Sequence, residues 1–373
     1  MRSLTTALFF MVSPLPAVAQ GAFIVTGSDG SQLIATPTDR FNSGWAIATL
    51  PDGRMLVSEK DGALVLVSAR GQRQGVIIGT PPARDEGQGG LGDVILHPDF
   101  AQNGVIYLSP VEWRGAYSGA VIWRGRLDLT ETGGTLSDLQ RIWEQVPFDT
   151  GRGHYSQRLA FGPAGYLFVT SGDRQLMEPA QDRSNTLGTI LRLTEDGAPA
   201  PGNPFSAEGG VTAQIWSFGH RNPLGLAFSA DGILWSHEMG PRHGDELNRI
   251  EPGRNYGWPL VSMGNHYSGE VIPDHATGDG FTAPTVSWVP AISPAGLVLY
   301  GGALFEGWQG DAVTGGLSSR ALIRVSTRGD GEIARYSWDE RIREVEESPD
   351  GAIWVLEDGA RGRLIRLTPL APK

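Results

Sequence analysis

The amino-acid sequence predicts an all-β protein, a six-bladed β-propeller made of four-stranded antiparallel blades. Two observations carry this prediction: a strand–turn–strand phrase recurs along the 373 residues, and no segment keeps a sustained helical periodicity of apolar residues. Further apolar segments beside the recurring phrase supply the outer strands. We therefore expect a single propeller domain over residues 20–373.

The recurring phrase is an apolar strand, a turn of the Pro-Asp-Gly kind and a second apolar strand, which is the pattern of a β-hairpin. Trp45–Ala48, the turn at 51–53 and Met55–Val57 form the first copy. The other clear copies have turns at 98–100, 163–165, 230–232 and 349–351. A degenerate copy, with apolar segments at 296–300 and 321–325, brings the number of units to six.

Outer strands recur as well, at 64–67, 190–193, 321–325 and 364–367. A propeller closes its blades into a ring and leaves few exposed strand edges, which suits a β protein without disulfides. A pair of β-sandwiches is the alternative architecture. Six similar hairpins disfavour it.

Composition excludes several classes of function. The chain has no cysteine, which excludes disulfides, thiolate metal sites and a cysteine nucleophile. The net charge of −11 argues against a nucleic-acid partner. Lys60 and Lys373 are the only lysines, which argues against lysine Schiff-base and Walker-lysine chemistry.

The N-terminus has the pattern of a secretory signal peptide over residues 1–19. Arg2 precedes a short apolar run at 7–12, and Ala17-Val18-Ala19 forms a small-residue cleavage site. The run is too short for stable membrane insertion. We expect cleavage after Ala19 and export to the periplasm; a disordered tail is the alternative.

Two polar clusters precede predicted strands. The first, Glu86–Gly92, contains Gln88 among glycines that allow a ligand to approach the backbone closely, although a simple glycine-rich turn has the same composition. The second, Gly153–Arg158, contains His154. A histidine at a strand end can act as a general base. A structural or merely exposed histidine is the alternative.

Two further clusters carry arginine. Arg221 and Asn222 stand side by side before a proline and can present planar donors to a carboxylate or carbonyl ligand. An arginine in a salt bridge between blades is the alternative. Arg341 and Arg343 alternate on one strand, so they face the same side, which is either a solvated edge or the wall of an anion site.

The last two clusters suggest a cation and an aromatic turn. Segment 237–246 combines a Gly-Pro turn with several carboxylates, and oxygen ligands of this kind suit calcium. Zinc is disfavoured because no histidine pair has helix spacing. Segment 255–259 reads Asn-Tyr-Gly-Trp-Pro.

In this order and spacing the clusters resemble the soluble pyrroloquinoline-quinone-dependent aldose and glucose sugar dehydrogenases, from about residue 35 to 370. The shared segments are Gly-Gln-Gly-Gly-Leu-Gly with His-Pro-Asp-Phe, Gly-His before Arg-Leu, Gly-His-Arg-Asn-Pro, Glu-x-Gly-Pro-x-x-Gly-Asp-Glu, Asn-Tyr-Gly-Trp-Pro and Arg-x-Arg before Pro-Asp-Gly. The fold of that family is the six-bladed propeller.

The resemblance implies roles for individual residues. His154 matches the base that takes the proton from the C1 hydroxyl of the sugar, after which hydride passes to C5 of the quinone. Arg221 matches a residue that stabilises charge on the quinone oxygen. The remaining matches are Asn222, Gln88, Arg341, Arg343 and the position of Ser318 at the cofactor; Gln88 and Trp288 at the substrate; Gly240 and Pro241 at the active-site calcium; and Glu246 and Tyr256 at a second calcium.

The chain also departs from the family pattern. Tyr155, Ser156 and Gln157 stand where the family often has glycines, Gly153 stands where glucose-specific members have aspartate, and Ser318 stands where some members have a lysine on the cofactor. These departures favour the broader aldose branch. The partners expected are an aldose and an unidentified electron acceptor, for a monomer or a homodimer.

The sequence therefore predicts a periplasmic quinoprotein that uses pyrroloquinoline quinone and calcium to oxidise aldoses at C1 to lactones. A calcium-dependent propeller lactonase is one alternative, and it would need a calcium on the propeller axis with several side-chain ligands. A non-catalytic sugar-binding propeller is the other.

Overall fold

The computed structural model of the protein describes residues 21–370. The predicted signal segment, residues 1–19, lies outside the described residues. The first two strands are β1 (Phe23–Thr26) and β2 (Gln32–Phe41), which pair antiparallel. They join the last strands of the chain, as described below.

An eight-stranded sheet follows, in the order β3-β4-β5-β6-β10-β9-β8-β7. Its strands are β3 (Gly44–Thr49), β4 (Met55–Glu59), β5 (Leu64–Val67), β6 (Arg73–Ile78), β7 (Leu91–Leu96), β8 (Val105–Arg114), β9 (Tyr117–Thr130) and β10 (Gly133–Glu144). It consists of two four-stranded antiparallel meanders. A short parallel contact between β6 and β10 joins them.

Three four-stranded antiparallel sheets come next, each in chain order. The first holds β11 (Ser156–Phe161), β12 (Leu167–Ser171), β13 (Thr189–Leu193) and β14 (Ile215–Phe218). The second holds β15 (Pro223–Phe228), β16 (Leu234–Glu238), β17 (Asp245–Ile250) and β18 (Val286–Trp288). The third holds β19 (Pro294–Leu299), β20 (Ala312–Gly316), β21 (Ala321–Val325) and β22 (Glu332–Ser337).

The last sheet joins the two ends of the described chain. Strands β23 (Ile342–Glu347), β24 (Ile353–Glu357) and β25 (Gly362–Pro369) are extended by β2 and then β1. Strand β2 pairs with β25 from Leu33 opposite Pro369 to Phe41 opposite Gly362. The pairing holds the early and late parts of the chain in one sheet.

The first strands of the successive four-stranded units pack against one another in a closed cycle. Strand β3 packs on β7, β7 on β11, β11 on β15, β15 on β19, β19 on β23, and β23 on β3. The apolar side chains of neighbouring sheets form the core between them. The site described below lies at one end of this cycle.

Helix is confined to connections. The elements are α1 (Phe100–Asn103) and the 3₁₀ turns Glu178–Gln181, Ser206–Glu208 and Thr212–Gln214. No helix among residues 21–370 has the length and apolar character needed to cross a membrane. The all-β class and the four-stranded antiparallel sheets predicted from the sequence are confirmed.

The hairpin turns show why the recurring phrase folds as it does. At 51–53, Gly53 adopts a φ of 83°, which glycine tolerates best, and the Asp52 carboxylate accepts a hydrogen bond of 3.0 Å from the Arg54 amide. The degenerate copy differs from the prediction. The partner of β19 is β20, which lies between the two predicted apolar segments.

Strand β20 was not predicted from the sequence because it ends in two glycines, Gly315 and Gly316. A Cβ on Gly315 would stand 2.4 Å from Cγ2 of Ile342 on the neighbouring unit. Close packing of the inner layers therefore requires a residue type that is unusual in strands.

Candidate active site

The predicted site residues come together where connecting segments meet at one end of the strand cycle. A cavity of about 440 Å³ opens there. Its lining includes Gln88, Asn222, Ser318, Arg341 and Arg343, which come from four different sheets. Residues far apart in the sequence thus form one wall.

His154 precedes β11, and the three residues that follow it line the cavity. The imidazole is almost fully buried, and its Nδ1 lies 2.6 Å from Oδ1 of Asp173. No hydrogen bond from a described residue reaches its other ring nitrogen, Nε2. Because Nδ1 donates to the carboxylate, Nε2 carries the free lone pair that a general base needs.

The surroundings keep the imidazole neutral and the carboxylate ionised. Burial lowers the pKa of His154; the bond to Asp173 opposes this, and the charges of Arg221 and Arg174 add to it. Burial alone would raise the pKa of Asp173, but the hydrogen bond and charge of His154, with the charge of Arg221, hold it below its usual value. A neutral imidazole beside a carboxylate is ready to accept a proton.

Asp173 is held at both oxygens. Its Oδ2 accepts a hydrogen bond of 2.8 Å from Nε1 of Trp258, and its Oδ1 also accepts one of 2.8 Å from the Gln175 amide. The Asp173 amide donates to the carbonyl of Arg221 over 2.9 Å. The carboxylate therefore cannot turn without breaking several bonds.

Gln88 is fixed to the same loop. Its Oε1 accepts a hydrogen bond of 2.7 Å from the His154 amide, and its own amide donates to the carbonyl of Arg152. The neighbouring Gly87 has a φ of 63°, and a Cβ there would stand 2.4 Å from that carbonyl. The glycine is needed for this close approach.

The loop 154–157 is strained. His154, Ser156 and Gln157 have φ values of 49°, 63° and 72°, in a region that residues with side chains rarely adopt. Side-chain bonds hold this conformation: Ser156 Oγ donates to Oδ1 of Asn222 over 3.1 Å, and Gln157 Nε2 donates to the carbonyl of Ser109. Such strain is a common feature of functional sites.

Arg221 does not form the salt bridge that was the alternative reading. Its amide donates to Oε2 of Glu238 over 2.6 Å and its Nη1 to the carbonyl of Met239 over 3.0 Å. Within residues 21–370, its buried Nε has no hydrogen-bond partner and no carboxylate lies within ion-pair distance of the guanidinium. An unpaired buried donor of this kind suits an anionic or carbonyl ligand.

Arg341 and Arg343 line the cavity and share one carboxylate. Arg341 Nε lies 2.8 Å from Oδ2 of Asp358, and Arg343 Nη2 lies 3.0 Å from Oδ1. Two guanidinium groups held by one carboxylate leave positive charge on this wall. The donor set of the cavity suits a flat, multiply carboxylated molecule.

The wall also contains a lysine from an unexpected element. Ser318 lines the cavity, and its Oγ lies 3.3 Å from the carbonyl of Ala291. Lys60, which follows β4, lines the same cavity, pairs with Asp85 and donates to the carbonyl of Gly87 over 3.3 Å. The resemblance concerned the position of Ser318, so it could not predict that Lys60 lies in the same wall.

A second, much smaller cavity adjoins the first. It is lined by Gly240, Pro241, Glu246 and Tyr256, the four residues predicted to bind calcium, together with Glu238. The Nδ2 of Asn248 bridges Glu238 and Glu246, donating over 3.2 and 3.1 Å.

Two buried carboxylates thus share one amide donor. Burial, and after it the charge of Glu238, raises the pKa of Glu246 well above its usual value. Oδ1 of Asn248 is buried and has no hydrogen-bond partner among the described residues. These oxygen atoms fit a hard divalent cation such as calcium.

Tyr256 can reach such a cation only through its backbone. Its hydroxyl donates to the carbonyl of Arg249 over 2.6 Å and accepts from the amide of Glu251 over 2.9 Å. Its ring stacks on His220, with 4.6 Å between centroids.

The structure does not bring Trp288 to the large cavity. The residue lies on β18 in the core with Trp235 and Leu247, and its indole N–H points to Oε2 of Glu332 over 3.3 Å. Its position in the sequence, next to the exposed Val289, gave no sign that the strand turns it inward.

Besides Lys60 and Asn248, four residues of the site are not among those assigned from the sequence: Asp173, Trp258, Asp358 and Glu238. Asp173 and Asp358 each follow a buried strand at the end where His154 lies, and that position is the signal that could have found them. Trp258 belongs to the aromatic turn, but its partner lies in another sheet. Glu238 lay inside the carboxylate-rich segment.

Comparisons with known proteins agree with this geometry. Residues 41–366 match the family described as Glucose / Sorbosone dehydrogenase. The chain is 37% identical over 343 residues to the aldose sugar dehydrogenase YliI of Escherichia coli (strain K12), which covers 89% of this chain and 91% of that protein.

Solved structures give the same result. The crystal structure of the soluble aldose sugar dehydrogenase from Escherichia coli in the apo form has a TM-score of 0.85 and 35% identity, covering 90% of this chain and 99% of that one. The PQQ-bound form of the aldose sugar dehydrogenase from Streptomyces coelicolor has a TM-score of 0.74 and 28% identity, covering 92% and 98%.

The matches extend over nearly the whole of the segment in which the ordered motifs occur. They confirm the resemblance on which the sequence analysis relied, and with it the prediction that the chain is a sugar dehydrogenase. The chain belongs to the glucose / sorbosone dehydrogenase family.

Proposed function

We propose that this protein oxidises aldose sugars at C1 to lactones, with pyrroloquinoline quinone as the hydride acceptor and His154 as the general base. The observation that carries the proposal is the His154–Asp173 pair beside a cavity walled by Arg341 and Arg343. When bound, the quinone supplies an electrophilic carbonyl carbon that accepts the hydride from the sugar.

The residues of the chain would divide the remaining work. Nε2 of His154 would take the proton of the C1 hydroxyl, and Asp173 would stabilise the imidazolium that forms. Arg221, with its unpaired Nε, would stabilise negative charge on an oxygen of the ligand. Arg341 and Arg343 would bind carboxylates of the cofactor, helped by Asn222 and Ser318.

Gln88 and the metal sites complete the proposal. Gln88, fixed by the His154 amide, would contact both cofactor and sugar. The carbonyl groups of Gly240 and Pro241 would hold a calcium ion at the cofactor, and Glu246 with the Tyr256 carbonyl a second one. Calcium prefers oxygen ligands of these kinds.

The proposal also covers the architecture of the fold and the location of the protein. We propose that the sheets are the six blades of one propeller, because the eight-stranded sheet divides into two meanders and the first strands close a cycle. We also propose that the signal segment 1–19 directs export to the periplasm. The electron acceptor would then be a periplasmic or artificial oxidant.

Reconstitution tests the function. Purified apo-protein is mixed with calcium and pyrroloquinoline quinone, and reduction of a dye is followed with a panel of aldoses. We expect reduction that needs both additions and produces lactone. No reduction, with no spectral change when the quinone is added, would contradict the proposal and bring the lactonase and sugar-binding alternatives forward.

The variant His154→Ala tests the role of the base. Turnover should collapse by roughly 10²–10⁴-fold, the usual contribution of a general base, while the quinone still binds. Absorbance of the bound quinone measures the second property in the same sample. Normal turnover in this variant would overturn the assignment of His154.

A further inference from the structure

We propose that Trp258 is a positioning residue that sets the proton affinity of His154 by holding the carboxylate of Asp173 and packing against Arg221. The inference rests on the proposed function, since it concerns the proposed base. Its own test includes a measurement on the apo-protein.

A buried chain of hydrogen bonds joins Trp258 to His154 through Asp173. Nε1 of Trp258 donates to Oδ2 of Asp173 over 2.8 Å, and Nδ1 of His154 lies 2.6 Å from Oδ1 of the same carboxylate. All three side chains are at least nine-tenths buried. In such surroundings each bond to the carboxylate changes the strength of the other.

Two hydrogen bonds hold the main chain of Trp258, and its indole lies against Arg221. The Trp258 amide donates to the carbonyl of Gly219 over 3.0 Å, and its carbonyl accepts from Nε2 of Gln181 over 2.7 Å. The Arg221 guanidinium carbon lies 5.3 Å from the centre of its ring. The indole therefore contacts both the orienter of the base and the proposed cofactor-binding arginine.

The indole N–H of Trp258 lowers the proton affinity of His154. The indole N–H stabilises negative charge on Oδ2 and so weakens the attraction of Asp173 for the proton on His154. Without it, the carboxylate binds that proton more strongly, and the imidazolium becomes easier to form. The other charges that act on His154 are those of Arg221 and Arg174, and neither is altered.

The variant Trp258→Phe removes the N–H and keeps an aromatic ring under Arg221. The titration midpoint of His154 should therefore rise by roughly one pH unit. In reconstituted enzyme the acidic limb of the pH profile of kcat/KM should move upward by a similar amount, because more of the base is protonated at a given pH, while KM above that limb changes little.

Trp216→Phe is the matched control. Trp216 also packs under an arginine, with the Arg192 guanidinium carbon 4.8 Å from its ring centre, but its buried Nε1 has no partner among the described residues. Loss of that N–H should leave the His154 titration and the pH profile unchanged.

The readout is NMR titration of His154 in isotopically labelled apo-protein, together with the pH profile of the reconstituted enzyme. A raised midpoint in Trp258→Phe and not in Trp216→Phe supports the proposal. Equal midpoints in Trp258→Phe and the unchanged protein would overturn it, even if turnover fell. Because the titration needs no cofactor, failure of the proposed function would appear separately, as lack of turnover in the unchanged protein.

A second measurement covers the case in which Trp258→Phe does not fold. In the unchanged protein the indole N–H resonance of Trp258 should shift with the same midpoint as His154. The indole of Trp143, which donates to Gln214 over 2.9 Å, should not shift with it. A Trp258 resonance that stays still through the His154 titration would contradict the coupling.

Discussion

Single residues of this site show how the same burial gives opposite charge states. Asp173 is fully buried yet ionised, because His154, Trp258 and the Gln175 amide donate to its oxygens. Glu246 is also buried, but its neighbour is another carboxylate, so its charged form is disfavoured. The first carboxylate stays charged beside the imidazole, and the second lies at the proposed cation site.

Calcium binding at Glu246 gives a prediction at this scale. Added calcium should stabilise the apo-protein against unfolding, by about 2.7 kcal/mol at a concentration about a hundredfold above Kd. In Glu246→Gln the share of this effect that comes from the ion proposed at Glu246 should disappear, because a buried carboxylate ligand is lost, while the share from the ion proposed at Gly240 and Pro241 should remain. Thermal unfolding with calcium and with a chelator measures both quantities.

The effect of Glu246→Gln on stability should be reversed when a chelator removes calcium. There Glu246→Gln should be at least as stable as the unchanged protein, because the repulsion from Glu238 is removed. Glu306→Gln, at an exposed position, is the control and should behave like the unchanged protein. Equal calcium stabilisation of Glu246→Gln and the unchanged protein would exclude Glu246 as a ligand.

At the scale of elements, the first strands of the units pack directly on one another, and glycines lie at contacts between neighbouring units. Nε2 of His237 on β16 lies 2.9 Å from the carbonyl of Gly296 on β19, which joins neighbouring sheets. Burial lowers the pKa of His237 to about 4, so the ring is neutral near pH 7. Gly225 on β15 lies directly against this ring.

The substitution Gly225→Ala should therefore destabilise the protein. An added Cβ would stand 2.3 Å from Nε2 of His237 and would push the ring away from Gly296. Overpacking of this kind costs about 1–3 kcal/mol. Urea unfolding monitored by tryptophan fluorescence measures the change.

Gly301→Ala provides the comparison, because a Cβ there would meet no atom within 4 Å and the residue has no positive φ. It should alter the free energy of unfolding by less than about 0.5 kcal/mol. If both variants unfolded at the same urea concentration, the close approach of β15 and β16 would not limit stability.

At the scale of the whole molecule, the fold brings distant parts of the sequence together twice. Strand β2 pairs with β25, so the beginning and the end of the described chain lie in one sheet. The inner strands close a cycle and gather the site loops at one end of it. A separate cavity among the inner strands contains a cluster of acidic side chains.

The same arrangement explains what the sequence could and could not predict. Hairpins were predictable because turn residues such as Asp52 and Gly53 are local signals, and the place of His154 at a strand end was predictable from its segment. The contact of Trp258 with Asp173 was not, since 85 residues separate them and only sheet packing joins them. Lys60 was overlooked for the same reason.

The acidic cavity lies among the inner strands, away from the site. It has a volume of about 280 Å³ and is lined by Asp93, Arg158, Glu344 and Glu346 from three strands. Arg158 pairs with Glu344 and lies 3.6 Å from Asp93. Burial and neighbouring charge raise the pKa of Glu344 to about 7 and that of Glu346 to about 8.

This cluster predicts how the stability of the whole molecule depends on pH. The folded state holds protons on Glu344 and Glu346 up to about pH 7–8, whereas the unfolded chain releases them near its ordinary pKa of about 4.3. Stability from this source is complete below about pH 4.3, declines as pH rises from there to the folded pKa values, and levels off above about pH 8. His237 acts in the opposite direction, but its contribution is complete above about pH 6.5.

The two glutamates should therefore contribute a fall in the free energy of unfolding between about pH 6.5 and pH 8, above the range in which His237 acts. The variant Glu346→Gln should flatten this fall, because a neutral amide has no proton to lose, and it can still accept the Thr49 amide bond. Glu340→Gln, at an exposed position, should keep the original slope. Urea unfolding at several pH values measures the slopes, and a slope in Glu346→Gln equal to that of Glu340→Gln would show that the buried carboxyl group releases its proton as readily as an exposed one.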